Sequence, residues 1–278
     1  MSPKSRPWIC SWPRPSFTID CKGIFEKEID QAIERGEVDF AVHSLKDVPI
    51  VDFAERQTTI AAIPKRASRH DVLISKGNVL LSALGEGAVI GTGSLRRMAQ
   101  VKFIRPDLEV KPIRGNVDTR IRKVKKGEFD GAILAEAGLE RMGLEREIAE
   151  RFSLETFPSA AGQGALAIVT RNNAENVMKI LRAVDHTSTR AEVTAERSLV
   201  LHLEGGCRVP IGAVGRADGE VLSLQGCIFS LDGQKRLSAF AEGMIDEAQA
   251  LGERVAQSLI EQGAKNLEKE WREKYGVW

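Results

Sequence analysis

The sequence predicts an α/β protein with a separate C-terminal α+β module, and three observations carry that prediction. Between Gly23 and about residue 184, short apolar runs of strand length alternate with segments of helical periodicity, the pattern of parallel α/β sheets. After residue 186 the order changes to a helix, three strand-like runs joined by Asp218-Gly219 and Asp232-Gly233, and a further amphipathic helix. The chain has 278 residues, 42% of them apolar, enough for a sizeable core divided over two or three units.

The opening segment, MSPKSRPWICSWPRPSFTID, stands apart. Four of the ten prolines and two of the four tryptophans fall within its first 15 residues. That density leaves too few backbone donors for a helix or an inner strand, so residues 1–20 are read as irregular and foreign to the fold. Regular text begins with Ile24, Phe25, Ile29, Ala32 and Ile33 on one helical face, and Gly36 follows as a stop. Val38 to Val42 is a short buried strand, followed by a polar loop, His43 to Pro49. Further strands are expected at Thr58 to Ile63, Val72 to Ser75, Ala88 to Gly91, Leu108 to Ile113, Gly131 to Ala135 and Ala165 to Thr170. Helices are expected at Leu95 to Ile104, Val117 to Lys126, Leu139 to Arg151 and Ala174 to Val184. In the C-terminal module a helix from Ser188 to Leu203 precedes strands at Val209 to Arg216, Val221 to Phe229 and Arg236 to Met244. A helix from Ile245 to Gly263 then covers one face of this meander.

Forty basic residues against 39 acidic ones remove any global argument for a nucleic-acid or membrane partner. Four cysteines without a C-x-x-C, and four histidines without an H-x₃₋₅-H pair, make neither a disulfide framework nor a zinc site, and no metal is expected. No apolar run approaches the roughly 18 residues of a membrane helix, and the first 20 residues lack the apolar stretch of a signal peptide. The expectation is a reduced, cytoplasmic protein.

The charge is unevenly placed. Between Gly91 and Lys126 there are 11 basic and three acidic residues. Arg96 and Arg97 follow Gly91-Thr92-Gly93-Ser94 at a strand-to-helix turn, where backbone N–H groups and the helix N-terminus favour anions. Arg114 precedes Gly115-Asn116 at a second such turn. A guanidinium fork binds a carboxylate or phosphate through two parallel hydrogen bonds, and successive turns of a parallel sheet open on one edge. The segment is therefore read as an anion-binding cleft, with Lys123, Lys125 and Lys126 as a solvated helix face. No dinucleotide fingerprint or P-loop is present.

Five segments occur together in one order: His43-Ser44-Leu45-Lys46-Asp47-Val48-Pro49, Gly91-Thr92-Gly93-Ser94-Leu95-Arg96-Arg97, Ile113-Arg114-Gly115-Asn116-Val117-Asp118-Thr119-Arg120, Gly162-Gln163-Gly164-Ala165, and Leu203-Glu204-Gly205-Gly206-Cys207-Arg208-Val209-Pro210. In these motifs, and from about Lys22 onward, the chain resembles the porphobilinogen deaminase (hydroxymethylbilane synthase) family. The resemblance implies a transferase of tetrapyrrole (porphyrin and haem) biosynthesis that condenses four porphobilinogen molecules stepwise into hydroxymethylbilane with release of ammonia. It implies a covalent dipyrromethane cofactor on Cys207 and a catalytic carboxylate at Asp47. Lys46, Ser44, Thr92, Ser94, Arg96, Arg97 and Arg120 are carried over as cofactor-binding residues. Arg114, Arg120, Arg141, Gln163, Lys22 and Phe25 are carried over as substrate-binding residues. A two-ring cofactor with four substrates presents about twelve carboxylates, which the arginines must partly neutralise. Charge builds on pyrrole nitrogens during loss of ammonia and attack by the free α-carbon, and a fixed carboxylate stabilises it and assists proton transfer.

The resemblance also implies two α/β domains like the halves of periplasmic binding proteins around a cleft, 21–64 with 165–184 and 68–160, and a third α+β domain at 187–278. It implies a monomer whose partner is the small-molecule substrate, with no nucleic acid and no membrane. Two departures stand out. Gly93 occupies a position where serine is common. Before Cys21-Lys22-Gly23-Ile24-Phe25, roughly 35 to 40 residues of the family pattern are lacking, including an arginine and a serine of the cofactor site, so exposed strand edges and several kcal/mol of lost burial are expected. The alternative readings are a catalytically impaired, truncated homologue and a non-enzymatic anion-binding protein; a nucleic-acid-binding role for residues 91–126 leaves the L-E-G-G-C segment unexplained.

Overall fold

The computed structural model describes residues 24–50, 57–203 and 209–275, without the side chains of residues 24–27. Its elements in chain order are α1 (Ile24–Glu34), β1 (Phe40–Ser44), β2 (Thr58–Ala62), β3 (Asp71–Ser75), β4 (Val89–Gly91), α2 (Leu95–Ile104), β5 (Glu109–Lys111), α3 (Val117–Lys125), β6 (Gly131–Ala135), α4 (Glu136–Glu140) and β7 (Glu150–Arg151). There follow β8 (Leu166–Arg171), α5 (Glu175–Leu181), α6 (Thr187–His202), β9 (Ile211–Asp218), β10 (Val221–Phe229), β11 (Arg236–Met244), α7 (Ala248–Glu261) and α8 (Ala264–Tyr275). The expected segment 1–20, Lys22 and Cys207 lie outside the described residues, as does the side chain of Phe25.

Among the described residues the strands form three sheets, ordered β1-β8-β2, β5-β4-β6-β3-β7 and β11-β10-β9. The parallel expectation holds where helices connect neighbouring strands: β4 pairs parallel with β5 and with β6, because α2 and α3 carry the chain back to the starting edge. Elsewhere it needs correction. In the first sheet β8 is antiparallel to both β1 and β2, and in the second β3 is antiparallel to β6. The reason is topological. Strands β3 and β8 are delivered by the two segments that cross between the sheets, 63–70 and 152–165, and run against the strands beside which they insert.

Two helical expectations also change. The helix at Leu139 to Arg151 does not form: Gly143, at φ +65°, takes a left-handed conformation that ends the turn after α4. The chain then joins the sheet edge as β7, Glu150 opposite Leu73 and Arg151 opposite Val72. Conversely, the amphipathic helix expected to Gly263 ends at Glu261, and α8 continues beyond it. Its Ala264, Leu267 and Trp271 are buried.

The third unit buries its largest cluster between α6, α7 and the β9–β11 sheet. Its outer face reaches the second sheet through Cys227, Phe229 and Trp271, which pack on Leu95 and Ala99 of α2. The Trp271 indole N–H donates to the Phe229 carbonyl at 2.8 Å, so the burial of this side chain leaves no polar atom unpaired. Helix α2 is thereby held from behind by the C-terminal unit. This is the helix that begins at the arginine-rich turn.

Candidate active site

Asp47 is set by a short 3₁₀ turn, Leu45–Asp47, directly after β1. Leu45 anchors the turn, fully buried in the core of the first sheet, and its N–H donates to the Ala165 carbonyl at 3.0 Å. The exit is held by Arg197 of α6, which donates to the carbonyls of Val48 and Pro49 at 3.1 and 2.8 Å. Lys46 and Asp47 are thus presented on a loop fixed at both ends.

Opposite this loop stands the N-terminus of α2. Ser94 caps it, its hydroxyl accepting from the Arg97 N–H at 3.5 Å. Arg96 and Arg97 are buried rather than solvated. Their charges meet Asp71, the first residue of β3. Arg97 Nε and Nη2 lie 2.9 and 2.7 Å from Asp71 Oδ1, and Arg96 Nη2 lies 2.8 Å from Oδ2. Burial alone would raise the Asp71 carboxyl, but Arg96, Arg97 and the Gln163 amide hold it down at about 2. Two guanidiniums share one carboxylate, so the cluster keeps a net positive charge.

Two cavities of about 210 and 220 Å³ share Lys46, Arg97 and Arg120 as a common wall. The first is lined further by Asp47, Ser94, Arg96 and Gln163, with Ile50, Val200, Val209 and Ile211 as an apolar side. The second receives Ser44 and Arg141. Among the described lining residues, five cations face one carboxylate, Asp47. Burial, followed by the charge of Arg97, brings the Lys46 ammonium down to about 8, and the same two influences lower the Arg120 guanidinium. Arg120 Nε is held by the Gly115 carbonyl at 2.7 Å, and Arg141 Nη2 donates to that of Gly164 at 3.0 Å.

The structure brings together Ser44, Lys46, Asp47, Ser94, Arg96, Arg97, Arg120, Arg141 and Gln163. It leaves out two expected residues. Thr92 is fully buried, its hydroxyl accepting from the Ser94 N–H at 3.2 Å, and it lines neither cavity. Its hydroxyl shapes the turn rather than the wall. Arg114, three residues past the end of β5, is exposed and lines neither cavity. Cys207 falls between Leu203 and Val209; Val200 and Val209, on either side of the undescribed segment, both line the first cavity. Cys227, by contrast, lies in the core, and burial pushes its thiol up to about 11, the state of an inert structural cysteine.

Sequence reading missed Asp71 and a second buried ion cluster. Arg66 Nη1 lies 2.8 Å from Glu196 and 3.3 Å from Glu192, and Arg69 Nη2 lies 2.8 Å from Glu192. Glu196 also accepts from the N–H groups of Gly162 and Gly215 at 2.7 and 3.0 Å. Two carboxylates of α6 thus clamp both crossing segments to the third unit. Where the crossings touch, Gly164 is required: at φ +84°, a Cβ there would lie 2.4 Å from the Ser68 carbonyl oxygen.

Comparison with known proteins agrees with the motifs. The family model "Porphobilinogen deaminase, dipyromethane cofactor binding domain" matches residues 13–179, and "Porphobilinogen deaminase, C-terminal domain" matches residues 190–261, ending before α8. The chain is 43% identical over 265 residues to "Probable porphobilinogen deaminase" of Nitrosopumilus maritimus (strain SCM1), covering 95% of this chain and 84% of that one. It is 45% identical over 249 residues to "Porphobilinogen deaminase" of Desulforudis audaxviator (strain MP104C), covering 90% and 80%. The solved periplasmic aliphatic sulphonate binding protein SsuA of Escherichia coli aligns with 64% of this chain and 57% of its own at 11% identity, with a TM-score of 0.38, a likeness too slight to carry an argument. On the two family models and the identities to these relatives, the chain belongs to the porphobilinogen deaminase family.

Proposed function

We propose that this chain is a hydroxymethylbilane synthase: a transferase of tetrapyrrole biosynthesis that condenses four porphobilinogen molecules, one after another, and releases ammonia at each step. The observation that carries the reading is one carboxylate, Asp47, set among five cations on the walls of two joined cavities. Porphobilinogen brings an acetate, a propionate and a pyrrole N–H. The cations fit the first two and the carboxylate fits the third.

The residues present also fit a dipyrromethane cofactor. Its four carboxylates match Lys46, Arg96, Arg97 and Arg120, and Ile50, Val200, Val209 and Ile211 form an apolar wall for its rings. Cys207, in the segment between two lining residues, is the attachment point in this reading. When bound, the cofactor supplies the free pyrrole α-carbon that acts as nucleophile. Asp47 accepts the pyrrole N–H, offsets the positive charge that develops on nitrogen, and takes part in proton transfer. Lys46, Arg96 and Arg97 hold carboxylates of cofactor and incoming substrate in the first cavity, and Arg120 and Arg141 those in the second. Gln163 orients the arginines. Ser44 and Ser94 contribute hydroxyls, and Lys22 and Phe25 keep the substrate roles that the family motif gives them. Thr92 and Arg114 gain no support from the geometry. The three sheets with their covering helices correspond, in this reading, to domains 21–64 with 165–184, 68–160 and 187–278. The enzyme works as a cytoplasmic monomer on a small molecule, without nucleic acid or membrane.

Turnover of porphobilinogen by the purified chain tests the proposal, with Asp47→Ala beside it. The variant is expected to keep its thermal midpoint and to lose roughly 10²- to 10⁴-fold in rate, the usual contribution of general acid–base catalysis. Near-normal turnover in Asp47→Ala would refute the role of Asp47. No tetrapyrrole from the wild-type chain would favour an anion-binding protein instead.

A further inference from the structure

Asp71 lies behind the cavity wall. It is fully buried, lines neither cavity, and touches three residues that line the first: Arg96, Arg97 and Gln163. Arg97 is fixed at every nitrogen of its fork. Nε and Nη2 meet Asp71 Oδ1 at 2.9 and 2.7 Å, Nη1 donates to the Ile133 carbonyl at 3.0 Å, and Nη2 also lies 3.4 Å from Gln163 Oε1. Because a guanidinium is planar and rigid, these contacts fix its plane as well as its position. Arg96 Nη1 donates to the Pro158 carbonyl at 2.7 Å, and its Nη2 stands 2.8 Å from Asp71 Oδ2. Arg96 Nε and Asp71 Oδ2 have no hydrogen-bond partner, so charge rather than hydrogen-bond geometry holds that contact. Gln163 Nε2 completes the set, donating to Asp71 Oδ1 at 3.0 Å and to the Arg69 carbonyl at 2.7 Å.

We infer that Asp71 is the positioning residue of the anion cleft: its single carboxylate fixes the Arg97 guanidinium in the wall, holds that of Arg96 beside it by charge and, cancelling one charge of two, leaves the pair net cationic toward ligand carboxylates. The inference rests on the reading of the cleft as a polycarboxylate site. Asp71 touches no substrate; it acts through Arg96 and Arg97. An asparagine keeps its volume but turns an amide donor toward guanidinium donors, so the forks lose their common reference while every cation stays in place.

Carboxylate holding of this kind is uniform across ground and transition state, and its loss falls on KM. In Asp71→Asn the KM for porphobilinogen is expected to rise roughly tenfold, the loss of about one charge-assisted hydrogen bond, while kcat per folded molecule stays within about threefold. A merely structural role would instead lower kcat in step with the folded fraction and leave KM alone, and that result overturns the inference. A second arm uses Arg97→Lys, which cannot form the fork. Asp71→Asn should raise the KM of Arg97→Lys by less than it raises that of the wild type, the part that runs through Arg96 alone, whereas fully additive effects overturn the inference. Should Asp71→Asn fail to fold even in sucrose, which favours the compact state, Gln163→Leu is read in its place. It removes the hydrogen bond to Oδ1 without changing any charge, and an unchanged KM there overturns the inference. Absence of turnover by the wild-type chain would overturn the reading of the cleft itself, a different outcome from an active wild type whose KM is indifferent to Asp71.

Discussion

Among the described residues two pairs of arginines sit in ion clusters away from bulk solvent, and they differ in one respect. Arg66 and Arg69 meet two carboxylates, Glu192 and Glu196, at the junction of the crossing segments with α6. Arg96 and Arg97 meet one, Asp71, beneath the first cavity. A balanced cluster has its charges satisfied internally, and its worth is mechanical. An unbalanced one keeps attraction to spare for anions from outside. Gln163 joins the two: its carbonyl accepts from Arg66 at 2.6 Å while its amide donates to Asp71. The two pairs are therefore distinguished by the count of carboxylates around each rather than by burial alone.

The comparison can be broken most sharply at the balanced cluster. Glu196→Ala leaves Arg66 with Glu192, which it shares with Arg69, and takes the acceptor from the Gly162 and Gly215 N–H groups; a loss of about 3 kcal/mol is expected in chemical unfolding, with KM unchanged in the protein that remains folded. A large change in KM without a change in stability would erase the distinction. A smaller effect is expected from acid. The Asp71 carboxyl sits at about 2, below its ordinary 3.8, so its stabilisation is complete above pH 4 and disappears as pH falls through 2. Linkage puts this at roughly 2 to 3 kcal/mol. Urea unfolding of wild type and Asp71→Asn should therefore converge toward pH 2, and a gap independent of pH would contradict the assignment.

Smallest is the effect of Lys46. Its ammonium, lowered from 10.5 to about 8, loses its proton in the folded protein before the unfolded chain does. Folding therefore disfavours the charged form, and the stability difference between wild type and Lys46→Met should shift in favour of wild type as pH rises from 8 to 10. One cation of the wall is lost over the same range, and KM for porphobilinogen should rise roughly two- to fivefold, the worth of a partly screened charge. A KM that stays flat through pH 8 in wild type would remove Lys46 from the wall.

Much of the candidate site's layout was legible because its residues sit together in the chain. Ser94, Arg96 and Arg97 follow one turn, and Lys46 and Asp47 share another, so motif and geometry coincide. Asp71 was not legible. It reads as one acid at the head of an apolar strand, and its partners Arg97 and Gln163 lie 26 and 92 residues away. Glu196 lies 130 residues from Arg66 and was hidden for the same reason. Arg114 was legible as a turn residue but lies exposed and outside both cavity walls, a placement that periodicity does not indicate. The antiparallel strands were missed because local alternation of strand and helix does not reveal that β3 and β8 arrive by crossing between sheets. Helix α8 carries a readable spacing, Ala264, Leu267 and Trp271, but Gly263 looked like an end. That glycine, at φ +98°, is instead the corner between two helices.

The central claim, that this chain is a cofactor-carrying member of its family, is tested most directly by the intact mass of the purified protein. The account predicts the 30.5 kDa polypeptide plus an increment of two pyrrole units, absent from Cys207→Ala. An unmodified wild-type mass, or an increment that survives in Cys207→Ala, would contradict it.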